Sequence, residues 1–323
     1  MRFIGPFAAC VAGALLAGAA FAQTPVLRIA AQASGTVNWE LDTIRHYELD
    51  AANGFTLEVM DVAGSPAGQV AFQGGEADAI VSDWIWVARQ RAAGEDFVFV
   101  PFSKAVGGLM VPGDSTAEAL PDLAGGKIGV AGGPLDKSWI LLRAYSEQEY
   151  GFDLAAETEA VFGAPPLVFE AAKAGEFVGA INFWHFLAKM QAAGMRELIS
   201  VEDAAVALGL DPETPLLGYV LRGEMVAEQP ELVAGLAAAS KAAKALLASD
   251  PAAWERLRPM MNADSDAEFE GLKAGFVAGI PADAPVDEAA AGEMLALMAR
   301  VGGEELVGAA STLPEGVFVQ PGS

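Results

Sequence analysis

The chain has 323 residues, with 43 Asp and Glu against 19 Lys and Arg, a net charge of −24, and 53% apolar residues. This acidity excludes a nucleic-acid partner, because neutralising phosphates requires clustered basic side chains; a solvated acidic surface accounts for it otherwise. One cysteine and two histidines leave no disulfide to form and little capacity for thiolate chemistry.

The opening "MRFIGPFAACVAGALLAGAAFAQTP" reads as a secretory signal over 1–22. Arg2 supplies the basic start, an apolar stretch follows, and Ala20-Phe21-Ala22 fits the small-x-small pattern before cleavage. The mature chain is expected to begin near Gln23, to lose Cys10 with the leader, and to reside in the periplasm. No later segment is expected to span a bilayer, so the mature protein is not membrane-embedded. Roughly 300 residues remain, enough for one large or two ordinary domains without staples.

"VLRIAA" (26–31) is the first predicted strand, and a helix runs from about Asn38 to the stop at Asn53-Gly54. Phe55, Leu57 and Val59 alternate as a strand. "GSPAGQVAFQGG" (64–75) reads as a turn into a helix, with Ser65 as N-cap and Pro66 at the first helical position. "DAIVS" (78–82) is a strand, and "DWIWVARQRAAG" (83–94) a helix. Strands alternating with such helices imply a parallel α/β sheet.

The same grammar returns one hundred residues later. "KIGVAG" (127–132) opens it, a helix follows from Asp136 or Ser138 to Gly151, and "GAPP" (163–166) takes the place of "GSPA" (64–67). "GEADAIVSDWIWVARQRAAG" (75–94) aligns without a gap on "GEFVGAINFWHFLAKMQAAG" (175–194), with seven of the twenty positions identical. Five of those are Ala or Gly, so the order of strand, helix and turn signals carries more weight than the count. The pattern predicts two similar α/β lobes. "FVFVPFSKAVGGLMV" (97–111) and "PLLGYVLR" (215–222) read as crossings between them. Residues 224–310 are almost wholly helical, clearest in "PELVAGLAAASKAAKALLASDP" (230–251), and are expected to pack back on the first lobe. The expected division is lobe 1 from 23–105 with 218–323, and lobe 2 from 106–217.

In open α/β sheets, ligands sit beyond the carboxyl ends of the strands. Facing lobes would therefore meet through Gln32–Asn38, Gly64–Ala67 and Ser82–Trp84 on one side, and Gly132–Ser138, Gly163–Pro166 and Asn182–His185 on the other. The candidate ligand contacts come from these turns. Trp39, Trp84 and Trp184 would serve as aromatic plates. Gln32, Asn38, Ser65, Ser82, Asp83, Asp136, Ser138 and Asn182 would meet polar groups. Asp83 is equally an N-cap for the helix after it, either Trp84 or Trp86 could be core, and Trp139 is expected to be packed. His185 aligns with Ile85 and is read either as a ligand hydrogen bond or as helix packing. Several Trp and Phe flank these turns and no Arg does, which sets an aromatic or heterocyclic solute beside a compact oxyanion as the expected ligand.

The secretory leader, "LRIAAQASG", "GSPAGQVAFQGGEADAIVSDW", "DFVFVPFSKAVGGLMVP", "LAGGKIGVAGGPLDKSWILLRA" and "AINFWHFLAKMQAAG" occur in an order that resembles the periplasmic substrate-binding proteins of ABC importers. The branch most similar takes nitrate, sulfonates, taurine and thiamine precursors, and the likeness covers about 25–222 well. It implies a periplasmic-binding-protein fold of type II, with two lobes, a hinge and a helical C-terminal tail. It also implies a monomeric receptor that closes on a small molecule and docks on a membrane permease. Two features depart from the branch: "GGPLDKSW" stands where a Thr- or Ser-rich turn is usual, and His185 where an acidic residue is common. A nitrate or sulfonate ligand therefore does not follow from the likeness.

Neither a metal site nor a cofactor is expected. His46 and His185 lack a His-x-x-x-His or His-Glu-x-x-His partner, and Asp42, Asp83 and Asp136 resemble no calcium loop. Enzymatic activity is not expected either, since no nucleophile elbow, phosphate loop or dinucleotide fingerprint is present; the Lys137-Ser138 pair reads as capping. The alternatives kept are a periplasmic accessory protein or enzyme on the same fold, and a metal-ion receptor.

Overall fold

A computed structural model describes residues 24–104 and 106–319. The expected leader, with Cys10, lies outside them. The first half forms β1 (Val26–Gln32), α1 (Val37–His46), α2 (Leu49–Ala52), β2 (Thr56–Val62), α3 (Ser65–Gln73), β3 (Ala79–Asp83), α4 (Trp84–Ala92) and β4 (Phe97–Ser103). Next come β5 (Gly107–Val111), β6 (Lys127–Ala131), α5 (Lys137–Tyr150), α6 (Leu154–Glu157), β7 (Glu159–Gly163), α7 (Pro165–Lys173), β8 (Gly179–Phe183), α8 (Trp184–Ala192), β9 (Arg196–Ser200) and α9 (Val201–Ala207). The chain then returns through β10 (Leu217–Arg222) and ends in α10 (Gly223–Glu228), α11 (Pro230–Ser249), α12 (Pro251–Met261), α13 (Asp266–Ala278) and α14 (Glu288–Val307).

The two copies of the repeat run in register. α3 and α7, β3 and β8, and α4 and α8 begin and end one hundred residues apart. Each copy builds its own five-stranded sheet, ordered β2-β1-β3-β10-β4 and β7-β6-β8-β5-β9. The inner strands are apolar on both faces, as helix-covered sheets require: Leu27, Ile29, Ala30 and Ala31 of β1 and Ile128, Val130 and Ala131 of β6 are all buried. The sequence reading expected parallel sheets, but each holds one antiparallel strand, β10 against β3 and β4, and β5 against β8 and β9. The reason is the crossing, because each of these strands enters its sheet from the other lobe. The chain crosses between Ser103 and Gly107 and returns ahead of Leu217.

The helical tail does not stay on one lobe. α11 and α12 pack on α1, whereas α13 packs on α8, and α14 lies against both α4 and α5. Close approach of α13 to α8 depends on small residues. A Cβ added at Gly275 would sit 2.6 Å from the Trp184 ring, and one at Gly271 would sit 3.2 Å from Ala188. Contrary to the sequence reading, α11 is long and apolar enough to cross a membrane by length and composition, but Leu232, Leu236, Ala239 and Ala243 are buried within the fold.

α11 also carries a buried charge. Lys244 pairs with Glu40 at 2.5 Å, while Tyr219 and Ser240 donate to the Glu40 carboxylate at 2.7 and 2.6 Å. The Lys244 ammonium lies 4.6 Å from the centre of the Phe102 ring. Burial pulls Lys244 below the ordinary lysine range even though Glu40 opposes that shift. The cluster ties α1, β4, β10 and α11 into one core.

Candidate functional site

Where the carboxyl edges of the two sheets face one another lies a cavity of about 840 Å³. Five helix starts reach it: Thr36-Val37 before α1, Gly64-Ser65 at α3, Asp83 at α4, Asp136-Lys137 at α5, and Phe183-Trp184 at α8. A helix start leaves backbone N–H groups without intrahelical partners. At α4 and α5 these are met from within, since Asp83 accepts from Trp86 N at 2.9 Å and Asp136 from Trp139 N at 3.1 Å. The starts of α1, α3 and α8 have no side-chain cap. Ser65, expected as an N-cap, is the first helical residue, and Gly64 holds the capping position.

Across the cavity the lobes are joined by an ion pair. Lys137 Nζ donates to Asp83 Oδ2 at 2.7 Å, with the two side chains 30% and 17% exposed. Burial works against the Lys137 ammonium, but Asp83 and then Asp136 outweigh it and hold the group above the ordinary lysine range. Burial pushes the Asp136 carboxyl up, opposed by the Trp139 amide and by Lys137.

His185 is kept uncharged. Burial, and then the positive charge of Lys189 one turn on, lowers its pKa to about 4. Its ring is surrounded by Phe183, Trp184 and Phe186, and Nδ1 is buried without a hydrogen-bond partner. A neutral imidazole with one unused nitrogen can give or take a single hydrogen bond, according to tautomer.

Of the residues singled out in the sequence, Gln32, Ser65, Ser82, Asp83, Asp136, Ser138, Trp184 and His185 line this cavity, and Asn38, Trp39, Trp84 and Asn182 do not. Asn38 donates through Nδ2 to the carbonyls of Gln32 and Ala33, tying the turn after β1. Trp39 is buried among Trp184, Trp254 and Phe276 at centroid distances of 5.9 to 6.1 Å. Trp84 is fully buried and packs on Phe318 at 5.7 Å. Asn182 is fully buried and holds the turn before α7, with Nδ2 donating to Pro165 O at 3.0 Å. The Gly163–Pro166 turn is absent from the wall, so the two lobes contribute unequally.

Sequence reasoning passed over other lining residues. Lys137 reads from the sequence as part of a capping Lys-Ser pair, yet it lines the cavity at the start of α5. Trp86, stacked 5.7 Å from Phe97, takes the wall position that the sequence leaves open between it and Trp84. Phe102 and Phe183 add aromatic surface, and Arg89 stands at the rim with Nη1 donating to Glu305 O at 3.1 Å. Among the described residues no group of three or more His, Cys, Asp or Glu is placed to hold a metal ion.

No family model and no curated protein matches the sequence. Solved structures do match its shape. The periplasmic aliphatic sulphonate binding protein SsuA from Escherichia coli is 19% identical with a TM-score of 0.69, over 91% of this chain and 95% of that one. The alkanesulfonate-binding protein SsuA from Xanthomonas axonopodis pv. citri, bound to MOPS, is 20% identical with a TM-score of 0.66, over 92% and 96%. A Candida albicans protein described as exhibiting the generic periplasmic binding protein structural fold is 10% identical, with a TM-score of 0.61 over 92% and 98%. Along about nine-tenths of its length, this chain has the α/β periplasmic-binding-protein fold with two lobes.

Proposed function

We propose that this chain is the solute-binding receptor of an ABC uptake system: exported to the periplasm, acting as a monomer, it captures a small polar organic molecule and delivers it to a membrane permease. The observation that carries the reading is the 840 Å³ cavity whose wall is shared between the edges of two sheets. A ligand there touches both lobes, and only such a ligand stabilises the closed arrangement over the open one. One lobe comprises 23–105 with 218–323, and the other 106–217. Trp86 and Trp184 face the ligand body, while Gln32, Ser65, Ser82, Asp83, Asp136, Ser138 and His185 offer polar contacts. That the two SsuA proteins are described as binding sulfonates, and the Escherichia coli one as periplasmic, supports the transport role.

The test is a thermal-shift screen of the purified protein against sulfonates, pyrimidines, aromatic acids, amines and divalent cations. A receptor gains about 2.7 kcal/mol at a ligand concentration one hundred times Kd, a clear upward displacement of Tm. Mass spectrometry should recover the ligand unchanged, and small-angle scattering should show the protein becoming more compact on binding. Chemical conversion of the ligand, or no ligand that shifts Tm, overturns the proposal.

A further inference from the structure

The charges on the inner wall are not arranged for an anion. Two carboxylates, Asp83 and Asp136, and one ammonium, Lys137, face the cavity beneath its rim, and Lys137 is already engaged by Asp83 at 2.7 Å. The other strongly basic lining residue, Arg89, is exposed at the rim and donates to the Glu305 carbonyl. His185, with its pKa lowered to about 4, brings no positive charge at neutral pH. An anion seeking a charged partner on the inner wall would have to take Lys137 from Asp83 and leave that carboxylate partly buried and unpaired, which is costly; otherwise it would meet only uncharged donors there, such as the backbone N–H groups of the uncapped helix starts. The aromatic surfaces of Trp86, Trp184, Phe102 and Phe183 complete the wall, and the faces of such rings attract cationic nitrogen. The chain's net charge of −24 adds a long-range field of the same preference.

We propose that the cleft selects solutes bearing a protonated amine, and that Lys137 is a tethered stand-in for the ligand's ammonium, displaced from Asp83 on binding. This rests on the receptor reading above and gives it a substrate class. The ligand cation sits between Asp83 and Asp136 against the aromatic wall. The uncapped starts of α3 and α8 donate backbone N–H groups to whatever hydrogen-bond acceptor the rest of the molecule carries.

Isothermal titration calorimetry on the purified protein tests this with matched probes. Butyl, phenylethyl and indolylethyl bodies would each end in an ammonium, a carboxamide or a sulfonate. The ammonium member of at least one series should bind about tenfold tighter than its sulfonate partner, the order expected for exchanging one partly desolvated charge contact. Asp83→Asn, which keeps an oxygen to cap Trp86 N, should lower amine affinity about tenfold and let the sulfonates bind. Lys137→Met should raise amine affinity, because the stand-in has gone. Sulfonates binding the unaltered protein more tightly than amines overturn the inference and leave the receptor reading standing; that comparison needs no variant to fold. No probe of any charge binding overturns both.

Discussion

Gly275→Val tests the contact between α13 and the start of α8. A Cβ at position 275 would lie 2.6 Å from Trp184 Cε3 and 2.8 Å from Cζ3, whereas carbon atoms in contact sit about 3.5–4.0 Å apart. The ring would have to retreat by about 1 Å. Trp39, with its ring 5.9 Å away and edge-on, resists that retreat on one side, while the cavity that Trp184 lines is open to it on another. The helices cannot compensate by closing elsewhere, because Gly271 already faces Ala188 closely. Overpacking of this kind costs about 1–3 kcal/mol, and the branched methyls of Val place it at the upper end, less a few tenths regained from helix propensity. Urea unfolding followed by circular dichroism should show a loss of about 2 kcal/mol. Trp184→Ala in the same chain should relieve the clash, giving a coupling energy of at least about 1 kcal/mol in a double-mutant cycle. Because Trp184 also lines the cavity, ligand affinity should fall in Gly275→Val as the ring is pushed inward. Stability within about 0.5 kcal/mol of the parent, or strict additivity with Trp184→Ala, refutes the packing described here.

Gly292→Ala is the counterpart: position 292 lies within α14, and an added Cβ meets nothing within 4 Å, so stability should rise by up to about 1 kcal/mol. His185 titrates at about 4 in the folded chain, against 6.5 as its ordinary value. The unfolded chain therefore takes up the proton first, and the stability His185 contributes is complete above about pH 6.5 and lost as pH falls toward 4. Between about pH 7 and 5 the parent should lose about 1–2 kcal/mol more than His185→Phe, a partial-exposure discount included; equal slopes in urea unfolding would contradict the assignment. Removing Lys244 as Lys244→Met should cost about 3–5 kcal/mol by stranding Glu40, and Glu40→Met in the same chain should restore most of it, both read from unfolding midpoints. Trp84→Ala should cost about 3–5 kcal/mol through its cavity, while Trp86→Ala costs less and changes ligand affinity instead; the reverse pattern in calorimetry would exchange their roles.

The hundred-residue repeat was legible because turn chemistry repeats with it: Gly64-Ser65-Pro66 and Ala164-Pro165-Pro166 each start a helix. Strand, helix and turn signals are local, so a period could be read from them. What became of each side chain was not local. Trp84 and Trp184 occupy the same register, yet Phe318 closes over Trp84 while Trp184 remains half-buried at the cavity. Nothing near residue 84 announces a contact 234 positions away. Asn182 stands where Ser82 stands, but its longer amide reaches the Pro165 carbonyl and turns inward, whereas Ser82 stays on the wall. Lys137 was passed over for a related reason, since a lysine in a turn is ordinarily solvated, and only the apposition of lobes brings it to Asp83. Arg89 is not legible because it lies more than a helical turn along α4 from the strand-to-helix turn at Asp83, yet it reaches the rim, where the end of α14 meets it.

The antiparallel strands also set the order in which the molecule can be assembled. β10 lies between β3 and β4 in its sheet, yet it emerges from the ribosome only after every strand of the other sheet. Until then β3 and β4 present bare inner edges, and edges of that kind recruit foreign strands. The partner that closes them is roughly 110 residues downstream of β4, a separation associated with slow folding. The second sheet waits less, since β5 is followed by both its neighbours, β8 and β9, before β10 is made. The later-made half can thus complete its sheet first, and the earlier-made half remains unfinished until the chain has come back to it.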